Sequence, residues 1–247
     1  MVAGPVRAVH KKKKFILWQS FFLIFIVLLA AYILLQSPIF TISKIIVQGN
    51  NKVTAGEIVQ VSGIVTGMNI FKADLHTASA KVNVLPMIKG VNIIRNFPDN
   101  IIIKVVERVP VALVVVDGKF VELDAEGYYL RAGSAAATGL PVVTGINVQA
   151  AGPGKKVKGK ELDVALRVVQ ELGVQLRNSL SEVHVGNVGL ITLYTLEGIE
   201  CQLGMPENVA VKGNYFLQVI KELQAGDKNI EYVDFSIVNS PVVKYKD

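Results

Sequence analysis

The chain has 247 residues, 51% of them hydrophobic, with a mean hydropathy of +0.44 and a formal net charge of +6. Residues 1–14 hold five of the 26 basic residues and no acid, which leaves 21 basic against 20 acidic residues in the remainder, so the body is near neutral and composition gives no support to a nucleic-acid-binding face. A single cysteine, Cys201, excludes an intramolecular disulfide and a thiolate metal cluster.

Hydropathy this high makes a membrane segment the first thing to seek. Residues 15–36 read "FILWQSFFLIFIVLLAAYILLQ", without a charge, and the next charged residue is Lys44. A helix crossing a bilayer core needs about 20 apolar residues. Trp18 and Tyr32 stand near the two ends, where aromatic side chains anchor at the interface. Lys11, Lys12, Lys13 and Lys14 abut the N-terminal side, and the positive-inside rule places that side in the cytoplasm. A cleaved signal peptide is the alternative. Its apolar region runs to about 15 residues at most, and Ala30-Ala31 is a poor cleavage site within a run that continues beyond it. The expected organisation is a basic cytoplasmic tail, 1–14, and an uncleaved signal anchor, 15–36, with the bulk of the chain outside.

After Pro38 the pattern becomes that of a folded domain. Thr41 to Gln48 reads as a strand closed by Gly49-Asn50-Asn51. Thr54 with Glu57 three residues on forms a capping box, which opens a short helix ending near Gly63. Asp74 caps a second helix, with Leu75, Ala78, Val82 and Leu85 at helical spacing before Pro86. The strands Val91 to Asn96 and Ile101 to Glu107 flank the turn Phe97-Pro98-Asp99-Asn100 and are expected to pair as a hairpin. In the second strand Ile101, Ile103 and Val105 share the face that covers the helices, and Ile102, Lys104, Val106 and Arg108 share a wetter one. The order is β-α-α-β-β.

Glu107 and Arg108 are followed at once by Pro110. Neighbours in a strand point to opposite faces, so the pair is no catalytic dyad. Proline lacks an N–H and can interrupt sheet pairing, so Glu107, Arg108 and Pro110 are expected to form an inter-domain joint. Beyond it the chain is mostly strand-like. Asp117-Gly118 marks a hairpin and Asp124–Gly127 a second turn, with Asp124 and Glu126 expected to be solvated. "LPVVTG" follows, and then an amphipathic helix over 160–176 with Leu162, Leu166, Val169 and Leu172 on one stripe. Strands are expected at Val183–Val185, Leu190–Thr195 and Glu200–Leu203, a helix from Pro206 to Gln224, and strands again in "EYVDFSIV" and "PVVKYK". The loops 133–139 and 152–159 are the most flexible candidates.

Chemistry is hard to place. "GKKVKGKE", residues 154–161, fits a phosphate loop except that Glu161 stands where a magnesium-binding Ser or Thr belongs, and no buried strand precedes it. It reads as a solvated basic loop leading into a helix. His10, His76 and His184 belong to no recognisable catalytic pattern, no metal-ligand spacing occurs, and Cys201 reads as a buried structural thiol. No cofactor, metal or catalytic residue is expected.

The segments "ISKIIVQGNNKVTAGEIVQVSGIVTGMNIF", "PMIKGVNIIRNFPDNIIIKVVERVPVA" and "FVELDAEGYYL", behind a lysine-flanked signal anchor, resemble the FtsQ/DivIB family of bacterial cell-division proteins, and "YVDFS" near the end adds to the likeness. The resemblance implies an α+β fold: an N-terminal transmembrane helix, a POTRA domain over 40–109, a larger mostly antiparallel β-domain with two helices over 110–238, and a C-terminal strand or tail over 239–247. It implies a non-enzymatic scaffold at the division septum. Such a scaffold binds bitopic partners of the FtsB/DivIC and FtsL type, takes no nucleic acid or small-molecule substrate, and helps to control septal peptidoglycan synthesis. Tyr232, Val233, Asp234, Phe235 and Ser236 match the stretch where a partner segment adds a strand, and core packing is the competing reading for Tyr232 and Phe235. A membrane-anchored POTRA protein of polypeptide transport and an extracytoplasmic enzyme are the other two readings. The first would bring several POTRA units or a barrel, the second a nucleophile with its base.

Overall fold

The computed structural model describes residues 9–149, 151–225, 230–237 and 241–245; the side chains of residues 9–17, Lys11 to Lys14 among them, and of 223–225 lie outside the described part. The first helix, α1 (Val9–Leu35), contains an 18-residue apolar window, Trp18–Leu35, of mean hydropathy 2.3 and with none of it buried. Long, apolar and uncovered, it supports a single-pass membrane anchor.

The expected β-α-α-β-β order follows: β1 (Lys44–Gln48), α2 (Ala55–Ser62), α3 (Leu75–Val82), β2 (Ile88–Asn96) and β3 (Asn100–Glu107). The strands form a sheet in the order β1-β3-β2, with β1 parallel to β3 from Lys44 opposite Asn100 to Gln48 opposite Lys104. Both helix starts are capped as the sequence predicts. Thr54 Oγ1 accepts from the Glu57 amide at 3.2 Å, and Asp74 Oδ1 accepts from the Thr77 amide at 3.1 Å. Ile101, Ile103 and Val105 are buried with Ile58, Ala78 and Val82 of the helices, as the alternation along β3 requires. The margins differ from the sequence reading. Thr41 makes only an isolated bridge to Asn69, so β1 starts later, and α3 stops at Val82 because the segment before Pro86 leaves the helix for β2.

The chain then enters a nine-stranded sheet built from β4 (Pro110–Val116), β5 (Lys119–Asp124), β6 (Tyr129–Ala132), β7 (Val142–Thr144), β8 (Leu180–Val185), β9 (Ile191–Thr195), β10 (Glu200–Gly204), β11 (Ile230–Asp234) and β12 (Val242–Tyr245). Its order is β12-β11-β10-β9-β8-β7-β4-β5-β6. Antiparallel pairings dominate, and β7 joins β4 and β8, and β11 joins β10, in parallel. Those parallel joins need crossovers, which helices supply. α5 (Lys160–Glu171) and α6 (Gly173–Arg177) lie between β7 and β8, and α7 (Val209–Ala225) lies between β10 and β11. A further short helix, α4 (Ala135–Thr138), occupies one of the two loops expected to be flexible.

Periodicity explains the core. Leu162, Leu166, Val169 and Leu172 are all buried, together with Ala165 and Val168, against the β4, β5, β8, β9 and β10 side chains. The helix expected to run unbroken over 160–176 divides at Gly173, whose φ of +73° suits glycine and not a helix interior. In α7 the buried Lys212 donates from Nζ to the carbonyls of Leu203 at 2.7 Å and Met205 at 3.1 Å, which gives the ammonium two partners where β10 ends.

By contacts the chain divides into two compact units, one drawn from the segments up to Val82 and from Val91 to Val105, the other from Asn83–Gly90 and from Val106 onward. Within the first, Gly49 closes β1 at φ +84°, where a Cβ would lie 2.2 Å from the Val105 carbonyl oxygen. Gly49→Ala is therefore expected to cost more than about 1 kcal/mol, since it combines left-handed strain with a clash against β3. Chemical denaturation followed by circular dichroism measures it.

Candidate functional site: the terminal strands and a buried ion pair

Two groups of residues singled out by the sequence have definite positions in the second unit. Tyr232, Val233 and Asp234 lie in β11, which pairs with β10 on one side and β12 on the other. Glu200, Cys201 and Gln202 face Tyr232, Val233 and Asp234 in parallel register, while Lys244, Val243 and Val242 face them in antiparallel register. Val233 and Phe235 are fully buried, and Phe235 meets Phe216 of α7 edge to face at 6.2 Å between ring centroids. The Phe235 ring therefore packs in the core, held by aromatic contact and burial. Tyr232 and Asp234 are half-buried, and Ser236 is exposed. The Asp234 carboxylate accepts from the Ser236 amide at 2.7 Å, and the Phe235 amide donates to the Gln202 carbonyl at 2.8 Å, so two bonds hold the bend after β11.

One margin of the sheet is β6, and the other is β12, one strand beyond the residues the sequence pointed to. Its Val242 is 57% exposed. Lys244 pairs with Glu231 at 2.7 Å across the strands and lies 5.8 Å from the Tyr232 ring centroid. A hydrogen bond to Glu231 raises the Lys244 pKa. A short, partly charged edge is how sheets guard unpaired backbone, and it is also where another strand can add.

The second group surrounds Arg108. Its side chain is 11% exposed, and Nη1 lies 2.5 Å from Asp124 Oδ2 and 3.0 Å from Glu126 Oε2. The guanidinium carbon sits 3.8 Å from the Tyr128 ring centroid. Asp124 Oδ1 accepts from the amides of Glu126 at 2.9 Å and Tyr128 at 2.8 Å. The expectation of a solvated Asp124 is thus corrected, because this carboxylate is buried, with the β5–β6 turn folded around it. Glu126 stays half-exposed and also meets Lys89 at 2.6 Å. Hydrogen bonds from Lys89 and Arg108 hold its carboxyl below the usual range. Burial opposes the Arg108 charge, yet hydrogen bonds to Asp124 and Glu126 outweigh it and raise the pKa of the guanidinium. Pro110 is buried as the first residue of β4, opposite Asp124, with a register shift before Ala112. A missing N–H is tolerated at the start of a strand.

Several features that could carry chemistry have structural partners among the described residues. The "GKKVKGKE" loop spends its amides on protein: Gly154 donates to the Tyr129 carbonyl at 2.8 Å and Val157 to that of Gly127 at 2.9 Å. Those two amides are therefore not free to cradle a phosphate. Sequence reading found no partner for His184. The structure brings its Nδ1 within 2.8 Å of Thr144 Oγ1, and the same hydroxyl donates to Glu182. A hydroxyl has one hydrogen and a carboxylate only accepts, so Nδ1 is the donor to Oγ1. A base oriented to donate does not activate that oxygen as a nucleophile. This pairing depends on the parallel β7–β8 register, Thr144 opposite His184, which no local pattern announces. Burial pushes the pKa of the Cys201 thiol far up, so the expected structural thiol is what the fold holds. Among the described residues no group of three His, Cys, Asp or Glu side chains could hold a metal ion.

Arg108→Met would leave Asp124 buried without its cation and is expected to cost about 3 kcal/mol. The Glu126 contribution is complete above the ordinary carboxylate pKa and is lost as pH falls through the lowered one, so the variant should also show a smaller loss of stability in acid. Thermal unfolding at neutral and acid pH reads both effects.

Two family models match the chain. A model of the FtsQ-type POTRA domain matches residues 40–108, and a model of the C-terminal region of cell division protein FtsQ/DivIB matches residues 112–236. Cell division protein FtsQ of Syntrophotalea carbinolica is 30% identical over 220 residues, covering 87% of this chain and 77% of that protein. Cell division protein DivIB of Clostridium botulinum strain Hall is 26% identical over 239 residues, covering 95% of this chain and 93% of that one. A solved structure of the major extracytoplasmic domain of DivIB from Geobacillus stearothermophilus has 18% identity and a TM-score of 0.35, over 49% of this chain and 97% of its own. The chain belongs to the FtsQ/DivIB family of bacterial cell-division proteins.

Proposed function

We propose that the chain is a non-enzymatic scaffold of the division machinery. It binds bitopic partners of the FtsB/DivIC and FtsL type at the septum and through them helps to control septal peptidoglycan synthesis. The observation that carries this reading is the terminal strand β12, laid against β11, in a member of a cell-division family. A partner segment added beside β12 would draw affinity from main-chain hydrogen bonds and register from alternate side chains. In this reading the residues 232–236 act mainly from behind. Val233 and Phe235 fix β11 to the core and so fix the line of β12, while Tyr232, Asp234 and Ser236 reach the surface that a partner would meet.

The organisation we propose has a cytoplasmic tail over 1–14, with Lys11 to Lys14 holding that side in, and an anchor over 15–36. A POTRA domain over 40–109, a β-domain over 110–238 and a C-terminal strand or tail over 239–247, of which 239–240 and 246–247 lie outside the described residues, then lie outside the membrane. Glu107, Arg108 and Pro110 form the joint, where the chain leaves the three-stranded sheet and enters the nine-stranded one.

Affinity capture of the full chain with partners of the FtsB/DivIC and FtsL type tests the proposal. The intact chain should retain them. Val242→Lys, which places a charge on the exposed edge, should weaken retention roughly tenfold, or about 1.4 kcal/mol, without changing thermal unfolding. Retention unaffected by this change and by truncation after Ser236 would remove β12 from the interface. A fluorescent fusion that does not gather at midcell would sink the scaffold role itself.

A further inference from the structure

Three phenylalanines from distant segments meet at one end of the first compact unit. Phe40 and Phe71 are 5.1 Å apart between ring centroids, Phe71 and Phe97 5.4 Å, and Phe40 and Phe97 6.4 Å. Packing among themselves does not bury them: Phe71 is 41% exposed, Phe97 56%, and the adjoining Ile39 60%. Scattered apolar side chains on a surface need no explanation, but a contiguous aromatic patch does.

The patch is rigid. Ile70 donates its amide to the Phe40 carbonyl at 2.8 Å, Ile42 to Met68 at 2.8 Å, and Gly67 to Ile42 at 2.9 Å. Arg95 fixes the loop that bears Phe71 by donating from Nε to the Ile70 carbonyl at 2.9 Å and from Nη2 to that of Ala73 at 2.7 Å. Ser43 fixes the turn that bears Phe97, its amide donating to the Asp99 carbonyl at 2.9 Å and its hydroxyl to Asp99 Oδ2 at 2.5 Å. Three connections thus converge to display three rings.

What covers them follows from where they are. The apolar window of α1 ends at Leu35, and its 18 residues span about 27 Å, close to the ~30 Å hydrocarbon core. Asn69 Nδ2 donates to the Leu35 carbonyl at 2.8 Å, capping the end of the helix with the same loop that carries Phe71. Phe71 is two residues from that contact, and Phe40 is five residues from the end of the window, three of them in the tight helix Pro38–Phe40. We propose that Phe40, Phe71 and Phe97, with Ile39, seat the first unit in the headgroup layer of the bilayer that α1 crosses. The inference rests on α1 as a membrane anchor. An interfacial aromatic patch continuous with the span fixes how deep and at what angle the unit stands on the membrane.

Trp18 is the sole tryptophan of the chain, so the full-length protein contains its own control. The protein is reconstituted into vesicles of phosphatidylcholine, and separately of phosphatidylglycerol, each brominated at shallow acyl positions. In the unmodified chain quenching of Trp18 reports the anchor. In a Trp18→Phe background, Phe97→Trp is expected to emit at the blue-shifted wavelength of an interfacial indole and to lose a fraction of emission comparable with that lost by Trp18. Phe71→Trp in the same background gives an independent second probe should the first distort the turn. Water-like, unquenched emission from both probes while Trp18 is quenched would overturn the inference and leave the anchor standing. Failure to quench Trp18 would overturn both. A shift that arises only when division partners are reconstituted alongside would overturn the lipid contact in favour of a protein one.

Discussion

The contact between Arg108 and Asp124 is the condition on which the second unit depends. Both side chains are largely removed from water, and a charge moved there is costly unless it is met on every side. Here it is met. Asp124 takes the guanidinium on one oxygen and two backbone amides on the other, while Arg108 also finds Glu126 and the face of Tyr128. The same carboxylate therefore neutralises a cation and folds the turn that carries β5 into β6. The Arg108 amide, in turn, donates to the Met87 carbonyl at 2.8 Å, so the residue is gripped by backbone as well as by charge. β4 can then begin with a proline because the ordering around its first residue comes from side chains.

How far the fold could be read from the sequence follows from the range of the interactions involved. Caps and turns are local, so Thr54, Asp74 and Asp117-Gly118 announced themselves, and the alternation of Ile101, Ile103 and Val105 named the buried face of β3 correctly. The stripe on α5 was equally plain, because burial of a helix face is written every three or four residues. Pairings across long gaps were not. Nothing near "LPVVTG" says that β7 will lie between β4 and β8, and so nothing placed Thr144 beside His184. Asp124 was misjudged for the same reason: next to a glycine turn it has the look of a solvated residue, and its cation lies 16 positions earlier in the chain.

The terminal strands show a subtler limit. The segment 232–236 was legible as important, yet the sequence could not divide that importance between packing and presentation. Alternation does so in three dimensions. Val233 points into the core, its neighbours do not, and Phe235 turns back in after the strand ends. A strand with partners on both sides has no backbone to offer, so the exposed margin passes to β12. The core thereby determines the straightness of an edge it does not itself form.

Cys201 sits in β10, beside β11 and fully buried, and it is the one sulfhydryl of the chain. Oxidation by peroxide or exchange with another disulfide begins from an exposed thiolate. With its thiolate suppressed by burial, the folded molecule presents no sulfhydryl group to its surroundings. In an oxidising milieu two folded copies have no exposed thiol through which to form a disulfide. The sheet thus confers chemical inertness on the very layer that supports its open edge.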